Sequence, residues 1–91
     1  MLPSANVTSV PRTTTPTTFL GIWKNRRGFM VYNGTGGSLY LKLGSGVSTT
    51  SYTILIGSNT PWVCPFSYSG VVSGVWSGAG SGAALVTEVY S

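Results

Sequence analysis

Leu39-Tyr40-Leu41-Lys42-Leu43-Gly44-Ser45-Gly46 decides the fold. Five residues alternate strictly, with leucines on one side and Tyr40 and Lys42 on the other, and a glycine pair ends the run. A two-residue period sends successive side chains to opposite faces of an extended chain, so the stretch predicts a half-buried β-strand. The same reading spreads outward in both directions. Upstream, Arg27-Gly28-Phe29-Met30-Val31-Tyr32 predicts a strand that closes at Asn33-Gly34, a dipeptide suited to a tight hairpin turn. Downstream, strands are expected at 52–56, 62–64, 70–76 and 84–90, each bounded by Gly, Pro, Ser or Asn. The clusters Gly34-Thr35-Gly36-Gly37, Gly44-Ser45-Gly46 and Gly78-Ala79-Gly80-Ser81-Gly82 read as hairpin turns, because no helical period follows any of them to make a phosphate-cradling loop. With a further strand at 6–10, about seven short strands follow one another, which predicts an all-β fold, a small β-sandwich or jelly-roll-like barrel.

Residues 1–18 differ in composition from the rest. Pro3, Pro11 and Pro16 and the run Thr13-Thr14-Thr15-Pro16-Thr17-Thr18 favour an extended arm, able to add to a neighbouring molecule, ahead of a single β-domain at 19–91. Met1 to Ala5 shows neither the basic nor the apolar segment of a secretory signal, so none is expected.

Charge is scarce. Five residues are basic (Arg12, Lys24, Arg26, Arg27, Lys42), one is acidic (Glu88), and there is no His or Asp, so 7% of the 91 residues are charged against about 25% in average domains. Without those residues the chain lacks the parts of a Ser-His-Asp triad, a carboxylate pair or a zinc site, so an enzyme, a metal centre and a cofactor site are not expected. Cys64 stands alone, which excludes an internal disulfide framework and leaves a small buried apolar role. A domain this small buries too little surface for a generous core, and oligomerisation is the remaining common source of stability. Residues 43–87 hold no charge, yet Ser73, Gly74, Ser77, Gly78, Gly80, Ser81 and Gly82 break the most apolar part too often for a membrane helix.

The cluster Lys24-Asn25-Arg26-Arg27 is the one concentration of charge. It suits contact with an acidic partner surface, or a solvated turn before the first long strand. It is too short for the basic, aromatic-interleaved stripe of a nucleic-acid binder. Arg12, Lys24, Arg26, Arg27, Phe19 and Trp23 are the partner-binding candidates. Glu88 is expected to pair with Arg26, Arg27 or Arg12. The three tryptophans and five tyrosines are expected to fill core and interfaces, with stacking on a host glycan as the alternative. Asn6-Val7-Thr8 and Asn33-Gly34-Thr35 match the glycosylation sequon by chance in a Thr-rich chain.

An ordered series of short motifs resembles a class of small β-rich proteins found in tailed bacteriophage genomes. The series runs Asn25-Arg26-Arg27-Gly28, Val31-Tyr32-Asn33, Leu39-Tyr40-Leu41-Lys42-Leu43-Gly44, Tyr68-Ser69-Gly70, Gly74-Val75-Trp76 and Val86-Thr87-Glu88, covering most of the chain. The resemblance implies a virion structural component and brings no catalytic residue with it. The expected function is capsid decoration (cement): binding the head shell as an oligomer, a homotrimer by expectation, and stabilising it through contact with the major capsid protein or another virion protein. A tail, head-fibre or collar module, recognising a host glycan through exposed aromatics, is the alternative. Either places the chain in the virion, at the capsid surface or in the tail or collar.

Overall fold

A computed structural model describes residues 4–91. Met1 to Pro3, the first positions of the expected arm, lie outside the described residues. The described residues form eight strands and no helix: β1 (Ser4–Pro11), β2 (Thr17–Leu20), β3 (Arg26–Thr35), β4 (Leu39–Leu43), β5 (Ile54–Ile56), β6 (Thr60–Val63), β7 (Val72–Trp76) and β8 (Gly82–Tyr90). They make two four-stranded sheets, ordered β1-β8-β3-β6 and β2-β7-β4-β5. The antiparallel pairs nest, β1 with β8, β2 with β7, β3 with β6 and β4 with β5, and two further pairings, β3 with β8 and β4 with β7, close the set. That is one long hairpin, β1–β4 against β5–β8, rolled up on itself, which is the jelly-roll arrangement. The expected all-β sandwich holds, with β2 as the strand not anticipated.

Rolling has a consequence for the turns. Every connection but β4 to β5 crosses from one sheet to the other, so of the three glycine clusters expected as hairpin turns only Gly44-Ser45-Gly46 lies in a hairpin. The other two bridge the sheets. At the end of the last cluster Gly82 has φ +96°, and a side chain there would meet the Gly34 carbonyl at 2.8 Å, so both dihedral and space require glycine.

Asn33-Gly34 is likewise not a turn. β3 runs through it to Thr35, because Asn33 falls in phase with Phe29 and Val31 and faces the core. There its amide donates to the carbonyls of Gly37 (2.7 Å), Ile56 (3.0 Å) and Gly57 (3.1 Å). Its Oδ1 accepts from the Thr35 hydroxyl at 2.7 Å and, at 3.3 Å, from the Trp76 indole, which also donates to Thr35 Oγ1 at 3.0 Å. A local turn preference has yielded to a buried network whose polar atoms are all partnered.

The core between the sheets is built from the inward parity of each strand: Phe29 and Val31 of β3, Leu39 and Leu41 of β4, Val72 and Trp76 of β7, and Ala84 and Val86 of β8. Phe19 of β2 lies over Gly74, where an added Cβ would come within 2.6 Å of its ring. β1, within the segment expected as an arm, pairs along all eight residues with β8 of the same chain, and only its Val10 is buried. Pro61 sits in β6, an edge strand, where its missing N–H breaks no ladder.

Candidate assembly surface

The basic cluster divides at a bulge. β3 shifts register between Arg26 and Gly28, which reverses the alternation, so Arg26 points inward and Arg27 outward. Arg26 is 2% exposed. Its Nε lies 3.1 Å from Glu88 Oε2, its Nη1 donates to the carbonyls of Gly70 (2.9 Å) and Tyr68 (3.4 Å), and its Nη2 donates to that of Gly21. One guanidinium thereby joins β8, the β2–β3 connection and the β6–β7 connection. Of the three arginines proposed as partners of Glu88, Arg26 is the one that meets it.

Other candidates are also spent within the chain. Phe19 is buried, its ring centroid 5.9 Å from that of Trp76. Neither Phe19 nor Arg26 is open to a partner in this fold. Arg12 donates from Nε to the Gly78 carbonyl at 2.9 Å, and a Cβ at Gly37 or Gly80 would collide with its guanidinium. It laces together the two glycine-rich bridges at one end of the sandwich. Trp23 is half-buried on Tyr90, with centroids 4.7 Å apart. Lys24 and Arg27 are exposed, and Arg27 hydrogen-bonds to Ser91 Oγ (3.2 Å) and the Lys24 carbonyl (3.3 Å). Lys42 reaches Ser51 Oγ at 2.8 Å on the second sheet. None of the three tryptophans is exposed: Trp76 is buried and Trp62 packs edge-on against Phe29. The open aromatics are Tyr52, set edge-on to Tyr40, and Phe66.

What the structure assembles instead is a face. On the outer side of the β1-β8-β3-β6 sheet the register brings four rows together: Ala5-Val89-Gly28, Val7-Thr87-Met30-Val63, Ser9-Leu85-Tyr32-Pro61 and Pro11-Ala83-Gly34. No row contains a charged residue. Val7 is 60% exposed, Val63 64% and Leu85 43%. Beside Val63 lies an apolar groove of about 220 Å³ lined by Gly28, Met30, Val63, Thr87 and Val89, with the buried Phe29 and Cys64 also lining it. An antiparallel sheet with one face in water normally alternates apolar and polar. Here the outer rows are largely apolar as well, with Ser9, Thr87 and Tyr32 among them and Arg27 at their end.

No family model, curated protein or solved structure matches this chain. The face therefore stands on its own geometry.

The basic and aromatic residues drew the sequence-based choice of site, and the face escaped it because it has neither. A signal was nonetheless present. Ala83-Ala84-Leu85-Val86 is apolar at both parities, the composition of a strand covered on both sides, and its alternate members Ala83 and Leu85 fall on the outer face. Met30 and Val89 sit at the same outward parity.

Proposed function

We propose that this chain is a non-enzymatic structural subunit of a bacteriophage virion, a decoration protein that binds the head shell as an oligomer and stabilises it. The largely apolar outer face of the β1-β8-β3-β6 sheet carries this reading. The largest apolar patch of a small protein, a few hundred Å² in extent, is often its functional surface. Two further observations support it. The motif series resembles phage proteins, and the rolled-up jelly roll is an architecture that viral capsid domains use repeatedly, an analogy of fold rather than of site. The glycan alternative has less support, since the tryptophans that would stack on a sugar are packed into the domain.

The test is a count. Particles that carry this chain, purified and quantified by mass spectrometry, are expected to hold hundreds of copies each, and stripping the protein should lower the temperature at which the shell opens. A dozen copies or fewer would move the chain to the tail or collar. Its absence from particles would overturn the proposal.

A further inference from the structure

We infer that the outer face of the β1-β8-β3-β6 sheet is a self-association surface, on which a second copy of this chain packs sheet against sheet about a two-fold axis. The inference deepens the proposed function and rests on it for its biological setting, but it concerns the free protein and is tested without a particle.

Three observations select a second copy as the occupant. First, one patch holds both exposed apolar side chains and a hollow. Val63 and Leu85 are exposed on it, and the groove lined by Gly28, Met30, Val63, Thr87 and Val89 opens in the same face, with nothing within 4 Å of where a Gly28 side chain would be. A two-fold contact requires bump and hollow on the same patch, each filling the other's counterpart. Second, charge permits a like partner here. The chain carries a net +4, so two copies repel wherever their cations meet, yet these rows hold no cation, and Arg27, turned outward at the bulge, stands only at their end. An acidic partner would find that one arginine and no other cation in the rows. Third, the area suffices. Four strands about 4.8 Å apart, rising about 3.3 Å per residue over seven positions, outline roughly 400 Å² in flat projection. The projecting side chains raise that figure, and two such faces together reach the roughly 1,000 Å² at which specific interfaces begin. Packed sheets of this kind lie about 10 Å apart, the spacing of a sandwich interior.

The experiment is sedimentation of the purified full chain across the micromolar range, with Val63→Lys and Leu55→Lys compared. Val63 is exposed on the face, whereas Leu55 is similarly open on the other sheet. The wild type is expected to sediment as a dimer, and V63K to weaken that dimer by at least about a hundredfold, because the substitution enters a two-fold contact twice and buries an unpaired cation each time. L55K should leave it intact, and circular dichroism should show the same sheet content in all three. A wild type that stays monomeric, a trimer, or a dimer unaffected by V63K would each overturn the inference. A monomer that nevertheless binds shells, and loses that binding in V63K, would assign the face to the shell and leave the proposed function standing. A dimer found alongside chains absent from particles would do the reverse.

Discussion

Replacing Glu88 with glutamine tests how the two ends of the chain are held together. The substitution keeps the shape of the side chain and removes the only acidic side chain in the sequence. Arg26, with 1% of its side chain exposed, then has no anion to face, while Glu88 itself is 13% exposed. Breaking a buried ion pair by removing one partner costs about 3–5 kcal/mol. The lower end applies here, because the guanidinium keeps its carbonyl partners at Gly21, Tyr68 and Gly70 and the carboxylate edge touches water. A loss of about 3 kcal/mol is a large share of the roughly 5–15 kcal/mol that holds a domain folded.

For a domain of this size each kcal/mol moves the melting midpoint by about 4–8 °C, so E88Q should melt at least about 12 °C below the wild type. Thermal unfolding followed by far-ultraviolet circular dichroism measures this, and the drop should persist at high salt, which screens exposed pairs far more than buried ones. The double substitution Arg26→Met with Glu88→Leu should not restore the wild-type midpoint, because it removes the unpaired charge but leaves the carbonyls of Gly21, Tyr68 and Gly70 without their guanidinium donor. A fall of less than about 4 °C for E88Q would show that Arg26 is solvated and refute the reasoning.

Two more substitutions probe the buried polar contacts. Asn33→Ala removes a donor from the carbonyls of Gly37, Ile56 and Gly57, of which Gly37 keeps the Thr35 hydroxyl, and should destabilise the fold by about 2 kcal/mol or more, at about 1–3 kcal/mol per buried unsatisfied group, with the Trp76 emission shifting red; an unchanged melt and spectrum would contradict the network. Arg12→Ala removes a charge-assisted bond to Gly78 and should cost about 1.5–3 kcal/mol, with faster amide exchange confined to residues 36–38 and 77–81; uniform exchange would refute the lacing role.

Much of the fold was legible because alternation is a local property. Leu39, Leu41 and Leu43 announced both their strand and its buried face, and Leu39 and Leu41 are fully buried. Topology was not legible in the same way. Glycine clusters mark where the chain reverses but not which strands pair afterwards, and in a rolled-up hairpin successive strands belong to opposite sheets. Asn33-Gly34 misled for a related reason: its turn preference is a property of two residues, while its burial is decided by Ile56, Gly57 and Trp76, which are distant in sequence. The division between Arg26 and Arg27 needed the bulge, which no composition rule reveals. The candidate surface was hidden because attention follows charge, and this surface has none.

The scarcity of charge thus acquires a spatial meaning. Arg26 and Glu88 neutralise each other inside, Arg12 is bound into the glycine-rich bridges, and Lys42 is engaged by Ser51. Lys24 and Arg27, beside the β2–β3 connection, are the exposed cations among the described residues. A free molecule built this way carries its net +4 mostly away from the four-stranded outer face, and it presents that face together with a β1 edge that has no partner strand among the described residues. Sheet edges and apolar faces that must stay apart in solution are ordinarily guarded with lysine, proline or inward charge. On β1 Pro11 is the only such guard, at the very end of the strand, and on the outer side of β8 and β3 the guards are few: Pro61 of the neighbouring β6 and Arg27 at the bulge. A sheet so lightly guarded is what the proposed self-association requires, and that is why Val63, exposed on that face, rather than any arginine, is the residue whose replacement tests it.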